Sequence, residues 1–265
     1  MAEGTTVASK RGWQIVAPLG FGAGLIALFT LIVAGPGHAA GLWHYSVSFI
    51  LMRYAFFLGA AGGIVALLGV IITWRGDRKR RTMAVIGLVA GIATVLAIYS
   101  WRAKARSLPF IHDITTSVDD PPAFTVIPPR VYTERQLGIL PPPEKQKEMI
   151  RDAYGDLETL LVDTDVAETT ALAAEAAREL GWEIAANDPA AGRLEATDTT
   201  FWFGFKDDIV VRIRAAEGGS AVDVRSVSRV GISDIGKNAE RIRSFIATFQ
   251  NAKIRADAAA KRASQ

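Results

Sequence analysis

The polar residues with catalytic or binding potential lie in two segments of the C-terminal part of the chain. The first contains His112 beside Asp113, and the second runs from Asp223 to Ile242. An imidazole near a carboxylate is a common arrangement for proton transfer. His112 with Asp113 or Asp234 is therefore the candidate pair for an envelope hydrolase or transferase. We regard this as the alternative to a non-enzymatic function, because the serines of the second segment lack a Gly-x-Ser-x-Gly elbow.

Metal and cofactor chemistry have little support in the sequence. The chain has three histidines and no cysteine, and no pair of histidines has the spacing of metal ligands. A glycine-rich stretch at Gly20–Gly24 lies inside an apolar span with no strand before it, so it does not indicate a nucleotide loop. We therefore predict neither a metal site nor a cofactor.

Arginines in alternation indicate a different chemistry, which is anion binding. Side chains of a strand point alternately to opposite faces, and two adjacent alternating stretches would place several arginines on one face. These are Arg212, Arg214, Arg225 and Arg229. Guanidinium groups bind phosphates and carboxylates through paired hydrogen bonds. We predict that this face binds an envelope protein, an anionic lipid or a glycan, with help from nearby polar residues. Those are His112, Asp113, Asp234, Asn238 and Arg241.

Several of these residues also have structural interpretations. The arginines can pair with aspartates on a solvated sheet face, where each pair contributes roughly 0–1 kcal/mol. Asp234 is placed to cap the last helix, and His112 with Asp113 can hold the preceding segment on the sheet. The aromatic run Phe201–Phe205 is expected to be a core strand, with a membrane-facing or ligand-facing edge as the alternative.

The two polar segments also carry a family resemblance. His-Asp-Ile-Thr-Thr with a later Pro-Pro-Ala-Phe, and Ser-Arg-Val-Gly-x-Ser-Asp-Ile-Gly-x-Asn-x-x-Arg-Ile, occur here in that order. The chain resembles the family built on domain of unknown function 1499 over about residues 108–250. The resemblance implies a bacterial envelope or plastid protein with no assigned reaction, and members with N-terminal membrane spans.

The C-terminal part is predicted to be a small α+β domain in residues 144–250. Helical and alternating patterns follow one another in the order strand, helix, strands, helix, which favours one antiparallel sheet with helices on one face. Residues 107–143 hold eight of the eleven prolines and should be extended and packed on the domain. The charged tail 251–265 is predicted to be frayed or disordered.

Residues 1–106 are predicted to be an α-helical anchor of three transmembrane helices. The apolar runs at about 13–34, 50–74 and 83–101 are long enough to cross a bilayer, which takes roughly 20 helical residues. Each span contains two glycines four positions apart, and such spacing lets helices approach closely. The glycines are Gly20, Gly24, Gly59, Gly63, Gly87 and Gly91. They can serve packing within the chain or self-association, and a membrane assembly subunit acting through its spans is a third functional hypothesis.

The charge distribution indicates orientation and excludes one class of partner. Residues 1–101 carry a net charge of +6 and residues 102–265 one of −3, so the basic balance does not come from a nucleic-acid-binding domain.

With the N-terminus inside, seven Lys and Arg residues flank the spans on the inner side and three on the outer side. We therefore expect a multi-pass protein of the bacterial inner membrane with a periplasmic C-terminal domain. Its expected function is non-enzymatic binding of an envelope component in envelope assembly or maintenance.

Overall fold

The chain contains two compact units. A computed structural model describes residues 13–264. The helical unit extends to Ala105 and includes Trp202–Gly204, and the sheet domain comprises Arg106–Phe201 with the chain from Phe205 onward. The division at residue 105 lies next to the predicted boundary at residue 106.

The helical unit contains three long apolar helices. They are α1 (Val16–Ala39), α2 (Tyr45–Thr73) and α3 (Arg78–Ser107). Each is long and apolar enough to cross a membrane. The helices are longer than the predicted spans, most of all α3, in which basic turns at both ends continue the helix beyond its apolar part.

The side chains that the helical unit exposes suit a lipid environment rather than water. Ala27, Ala55 and Ala66 are fully buried between helices, whereas Phe29 and Ile64 are exposed. A bilayer solvates such apolar side chains, and small residues between helices let their backbones come together. The three predicted transmembrane helices are therefore present as long apolar helices with a lipid-compatible surface.

The paired glycines lie where the helices cross. A Cβ atom on Gly20 would lie 2.5 Å from the backbone of Ala66, and one on Gly24 would lie 2.2 Å from the carbonyl oxygen of Gly87. A Cβ atom on Gly91 would lie 2.6 Å from the carbonyl oxygen of Gly59. These distances are too short for any side chain, so packing within the chain is confirmed for these glycines. Self-association through them stays a prediction.

The sheet domain is a six-stranded antiparallel sheet with helices. In chain order its elements are β1 (Asp113–Thr115), α4 (Glu134–Leu137), α5 (Pro143–Tyr154), β2 (Leu160–Val162), α6 (Val166–Glu179), β3 (Glu183–Asp188), β4 (Arg193–Thr199), β5 (Lys206–Ala216), β6 (Gly219–Ser228) and α7 (Lys237–Ala263). The strand order is β1-β6-β5-β4-β3, and β2 also pairs with β6. Thus β1 and β2 both lie along the same edge of β6. The predicted α+β class is confirmed.

The hydrophobic core lies between one face of the sheet and helices α6 and α7. Phe245 and Phe249 of α7 are fully buried, and Phe245 stacks on Trp182 with 5.3 Å between ring centroids. From β5, Ile209 and Val211 enter the same core. The spacing of Phe245 and Phe249 places them on one side of the helix, so α7 buries one stripe and exposes charged residues such as Glu240 and Arg243.

The tail and the aromatic run differ from the predictions. The tail is helical as far as Ala263 rather than disordered, because Ala, Lys and Arg favour a helix and Ala252 is buried against the core. Phe201–Phe205 forms the connection between β4 and β5 rather than a core strand. Gly204 permits the connection by adopting a φ of +67°. Apolar composition alone did not distinguish the two structures.

Candidate anion-binding face and buried polar cluster

The arginines of the predicted binding face lie together, as the alternation indicated. We call the side of the sheet opposite α6 and α7 the outer face. In the register of β5 and β6, Arg212 lies opposite Asp223 and Arg225 lies opposite Val210. The cross-strand register therefore brings arginines and aspartates of the two strands into contact on the outer face.

Arg212 and Arg214 share one buried carboxylate. Their Nη2 atoms donate to Oδ2 of Asp223 at 2.8 and 2.7 Å, and the Thr159 hydroxyl donates to Oδ1 at 2.6 Å. Burial alone would raise the pKa of Asp223, but these donors outweigh it and lower the pKa below its usual value. Arg212 also contacts an exposed carboxylate, that of Asp120, at 3.0 Å from its Nη1 atom.

The other two arginines each have a carboxylate of their own. Arg225 donates to both carboxylate oxygens of Asp113 at 2.9 and 2.7 Å, and to the carbonyl oxygen of Pro122. Arg229 donates to both oxygens of Asp208 at 2.8 and 2.7 Å. Pairing of the arginines with aspartates is therefore the observed geometry.

The proline-rich segment covers part of the outer face, held there by Glu195. This fully buried carboxylate accepts hydrogen bonds from the backbone N–H groups of Thr125, Val126 and Ile127 at 2.6, 3.0 and 2.8 Å, and from the Thr125 hydroxyl. Burial would raise the pKa of Glu195, but these four donors outweigh it and lower the pKa. Sequence reasoning missed Glu195, since one glutamate in an alternating strand gives no signal of a partner 70 residues away.

His112 holds the same segment at a second point. Its Nε2 atom shares a hydrogen bond of 2.7 Å with the hydroxyl of Tyr132, and its buried Nδ1 atom has no partner with hydrogen-bond geometry in the described residues. Burial, with a smaller effect of Arg130, lowers the pKa of His112 from 6.5 to about 4. The ring is therefore neutral at pH 7. The prediction that His112 and Asp113 fix the segment on the sheet by hydrogen bonds is confirmed. The His112 ring binds Tyr132, and the Asp113 carboxylate binds Arg225 of β6.

Asp234 caps α7, as predicted. Its Oδ2 atom accepts the backbone N–H of Asn238 at 2.7 Å and its Oδ1 atom accepts that of Gly236 at 2.9 Å. Gly236 occupies the N-cap position with a φ of +76°, which suits glycine. Burial raises the pKa of Asp234, although these two N–H groups oppose the rise.

Asn238 lies at the centre of a buried polar cluster between α7 and the sheet. Its Nδ2 atom donates to the His112 carbonyl oxygen at 2.8 Å and to Ser228 at 3.0 Å. Its Oδ1 atom accepts from Ser226 at 2.6 Å and from Arg241 at 2.8 Å. The side chain thus uses all of its donors and both acceptor positions, which is the pattern of a residue that fixes structure.

Arg241 completes this cluster with two aspartates. Its Nη2 atom lies 2.7 Å from Asp207 and its Nε atom 2.7 Å from Asp198. Burial raises the pKa of Asp207, and the attraction of Arg241 opposes the rise. The nine predicted residues therefore form two groups, one around the outer-face ion pairs and one against α7. They do not form a single site.

The proposed catalytic pairs are not assembled. In the described part of the chain, no hydrogen bond joins His112 to Asp113 or to Asp234. The Asp113 carboxylate is bound by Arg225 on the outer face, whereas Asp234 caps α7. A groove of about 570 Å³ between β2 and α7 is lined by none of the nine predicted residues, and of the nine only Arg241 lines a smaller one of about 180 Å³.

These features define a protein with three long apolar helices and an α+β sheet domain secured by buried ion pairs. Residues 113–249, just over half of the chain, match the family described as Protein of unknown function (DUF1499). The chain belongs to this family, and the match includes both polar motifs except His112, the first residue of the first motif. The curated proteins compared with it contain no match.

Proposed function

We propose that this is a non-enzymatic protein of the bacterial inner membrane whose periplasmic sheet domain binds an anionic envelope component. The class of partner is an envelope protein, an anionic lipid or a glycan that offers a carboxylate or phosphate, and the role is envelope assembly or maintenance. One observation carries the proposal: Arg212 and Arg214 share a single buried carboxylate oxygen of Asp223, and the charge left over is balanced by an exposed side chain.

The exposed side chain is that of Asp120. Two guanidinium groups against one buried carboxylate leave one positive charge, and the Asp120 carboxylate lies 3.0 Å from Arg212 to balance it. The Asp120 side chain is 73% exposed and the Arg214 side chain 48% exposed. Because an exposed ion pair contributes only about 0–1 kcal/mol, a carboxylate or phosphate of a partner can take the place of Asp120 at little cost.

The carboxylates that each arginine contacts distinguish the arginines proposed to bind a ligand from those that hold the fold. Arg225 donates to Asp113 and to the carbonyl oxygen of Pro122. Burial would lower the pKa of Arg225, but the hydrogen bond to Asp113 and the charge of Asp113 outweigh burial and raise the pKa. Arg229 is bound bidentately by Asp208. Neither shares its carboxylate with a second arginine in the described residues. We therefore narrow the predicted binding face to Arg212 and Arg214, and assign Arg225 and Arg229 to holding the fold.

The enzymatic alternative has less support. A general base must reach the proton that it removes, and the Nε2 atom of His112 is occupied by Tyr132 while the ring is buried. The neighbouring Asp113 is bound to Arg225. These contacts hold the covering segment on the sheet and do not form a proton-transfer site.

The test is native mass spectrometry of the full-length protein, extracted in mild detergent from its own membrane. We expect an anionic lipid, glycan or protein to be retained. Arg214→Gln should reduce its retention by a factor of about 10 to 150, since a charged hydrogen bond contributes about 1.5–3 kcal/mol. Asp120→Asn should increase retention because it removes the competing carboxylate. Arg243→Gln is the matched control, since Arg243 forms a similarly exposed bidentate pair with Asp156. Equal retention by the Arg214 variant and the wild-type protein would refute the proposal.

A further inference from the structure

The connection between β4 and β5 presents an aromatic residue that the fold of the sheet domain does not use. The side chain of Phe201 is fully exposed. The connection itself is well ordered by hydrogen bonds, because the N–H of Thr200 donates to the carbonyl oxygen of Phe205 at 2.8 Å and the N–H of Phe205 donates back to the Thr200 hydroxyl at 2.9 Å. Turns in water favour small and polar residues. A fixed turn that displays a phenyl ring therefore indicates an apolar partner.

We propose that this aromatic turn, Phe201–Phe203, is a contact site for the membrane surface, where the exposed ring of Phe201 inserts at the level of the lipid headgroups while Phe203 stays buried. Phe201 is of a residue type that interfacial segments bury at the boundary between headgroups and acyl chains. The inference concerns a second contact of the chain with lipid and goes beyond the anion-binding function proposed above.

The register of the sheet places the aromatic turn at the end where the chain enters the domain. The N–H of Arg229 donates to the Lys206 carbonyl oxygen at 3.0 Å, and the N–H of Ser228 donates to the His112 carbonyl oxygen at 3.0 Å. The start of β5, the end of β6 and the residue before β1 are therefore neighbours. Since Lys206 follows the aromatic turn directly, this turn and the entry point share one end of the sheet.

The chain connection keeps that end of the sheet within reach of lipid. Only residues 108–112 separate the end of α3 at Ser107 from the start of β1, and such a segment spans at most about 20 Å. The opposite end of the sheet, at the β5–β6 turn, lies a further eleven-residue strand away, which corresponds to about 36 Å. Of the two ends, the one with the aromatic turn is therefore the one that the tether restrains near the bilayer.

The absence of cysteine makes a direct depth measurement straightforward. Phe201→Cys in the full-length protein is labelled with a nitroxide, an apolar ring of similar size, and reconstituted into vesicles of phosphatidylcholine and phosphatidylglycerol. Power-saturation EPR then compares the access of oxygen, which concentrates in lipid, with that of a water-soluble nickel complex. We expect the ratio of oxygen to nickel access at position 201 to be several-fold higher than at a labelled site in water.

The matched control is Leu161→Cys with the same label. Leu161 is also an exposed apolar residue, but it lies in β2 opposite Ala221, toward the far end of the sheet. Both positions are exposed, so neither substitution removes a core contact, and thermal unfolding checks that both variants are folded. Equal water access at positions 201 and 161 in folded protein would overturn the proposal, whereas lipid access at 201 alone supports it.

Discussion

At the scale of single residues, the position of each aspartate determines what the neighbouring arginine can do. Asp113 and Asp208 each bind one arginine through both oxygens, so these pairs are satisfied within the fold. Asp223 instead receives two guanidinium groups on one oxygen. The same residue types in the same alternation therefore give two separate ion pairs and one carboxylate shared by two arginines, which is the proposed ligand site.

His112 gives the domain a predictable dependence on pH. Burial lowers the pKa of its ring to about 4, whereas the unfolded chain titrates near 6.5. The stabilisation from the neutral ring is therefore fully present above pH 6.5 and is lost as the pH falls towards 4, by on the order of 3 kcal/mol. We expect His112→Gln to flatten the decline of unfolding free energy between pH 7 and pH 4.5, measured by urea unfolding of the full-length protein in detergent.

The control for this prediction is His44→Gln, the same chemical change in the exposed connection between α1 and α2. It should leave the slope with pH unchanged. A wild-type slope in the His112 variant would show that another group governs the acid sensitivity of the domain. Glu195 adds to the acid sensitivity of the domain at lower pH. Its pKa is lowered in the folded domain, so the stabilisation that its ionised carboxylate gives to the fold is lost as the pH falls below about 4.5.

At the scale of elements, β6 links the two polar motifs. The first motif supplies β1, which pairs with β6, and the second contains the end of β6 and the start of α7. Asn238 of α7 donates to the His112 carbonyl oxygen, so the two motifs meet although they lie more than 100 residues apart. Their polar residues therefore serve mainly to join the last helix to the first strand.

The helices of the helical unit depend on close approach at glycine. A Cβ atom at Gly24 would lie 2.2 Å from the carbonyl oxygen of Gly87, whereas one at Gly22 would meet nothing within 4 Å. We expect Gly24→Ala to force α1 and α3 apart and to lower stability by about 1–3 kcal/mol, seen as a lower midpoint of thermal unfolding in detergent. Gly22→Ala, two positions away in the same helix, should leave the midpoint unchanged. Equal midpoints for the two variants would contradict the observed helix packing.

At the scale of the whole molecule, three apolar helices and one sheet domain require a membrane on one part of the chain and water on the other. The basic residues that flank the helices are concentrated from Arg75 to Arg81, in the connection between α2 and α3 and the first turn of α3. Such clusters stay on the cytoplasmic side. The proposed periplasmic location of the sheet domain depends on this asymmetry.

Labelling of single cysteines tests the orientation in the living cell. Glu217→Cys lies in the β5–β6 turn of the sheet domain, and Lys79→Cys lies at the start of α3. With a permeabilised outer membrane and an intact inner membrane, we expect a membrane-impermeant maleimide to label position 217 but not position 79. Lysis should make both reactive. The reverse pattern would place the sheet domain in the cytoplasm and remove the envelope function proposed for it.

The sequence by itself determined the features that depend on local periodicity. The three helices, the alternation in β5 and β6 and the cap at Asp234 follow from the geometry of neighbouring residues, and the family follows from two contiguous motifs. Even so, the local pattern failed for Phe201–Phe205, because an apolar run fits a core strand and a connection between strands equally well. It also failed for the tail, where contact with the core extended a helix.

Only the tertiary structure decided which charges meet and which surfaces are covered. Arg225 and Asp113 lie 112 residues apart, and Glu195 binds a segment 70 residues away. Such contacts depend on strand register and on the path of the proline-rich segment, and neither leaves a periodic signal in the chain. An ion pair requires its two groups within about 4 Å, a condition set by long-range packing. The sequence therefore indicated the arginines, while the fold determined which carboxylate each of them binds and which two share one.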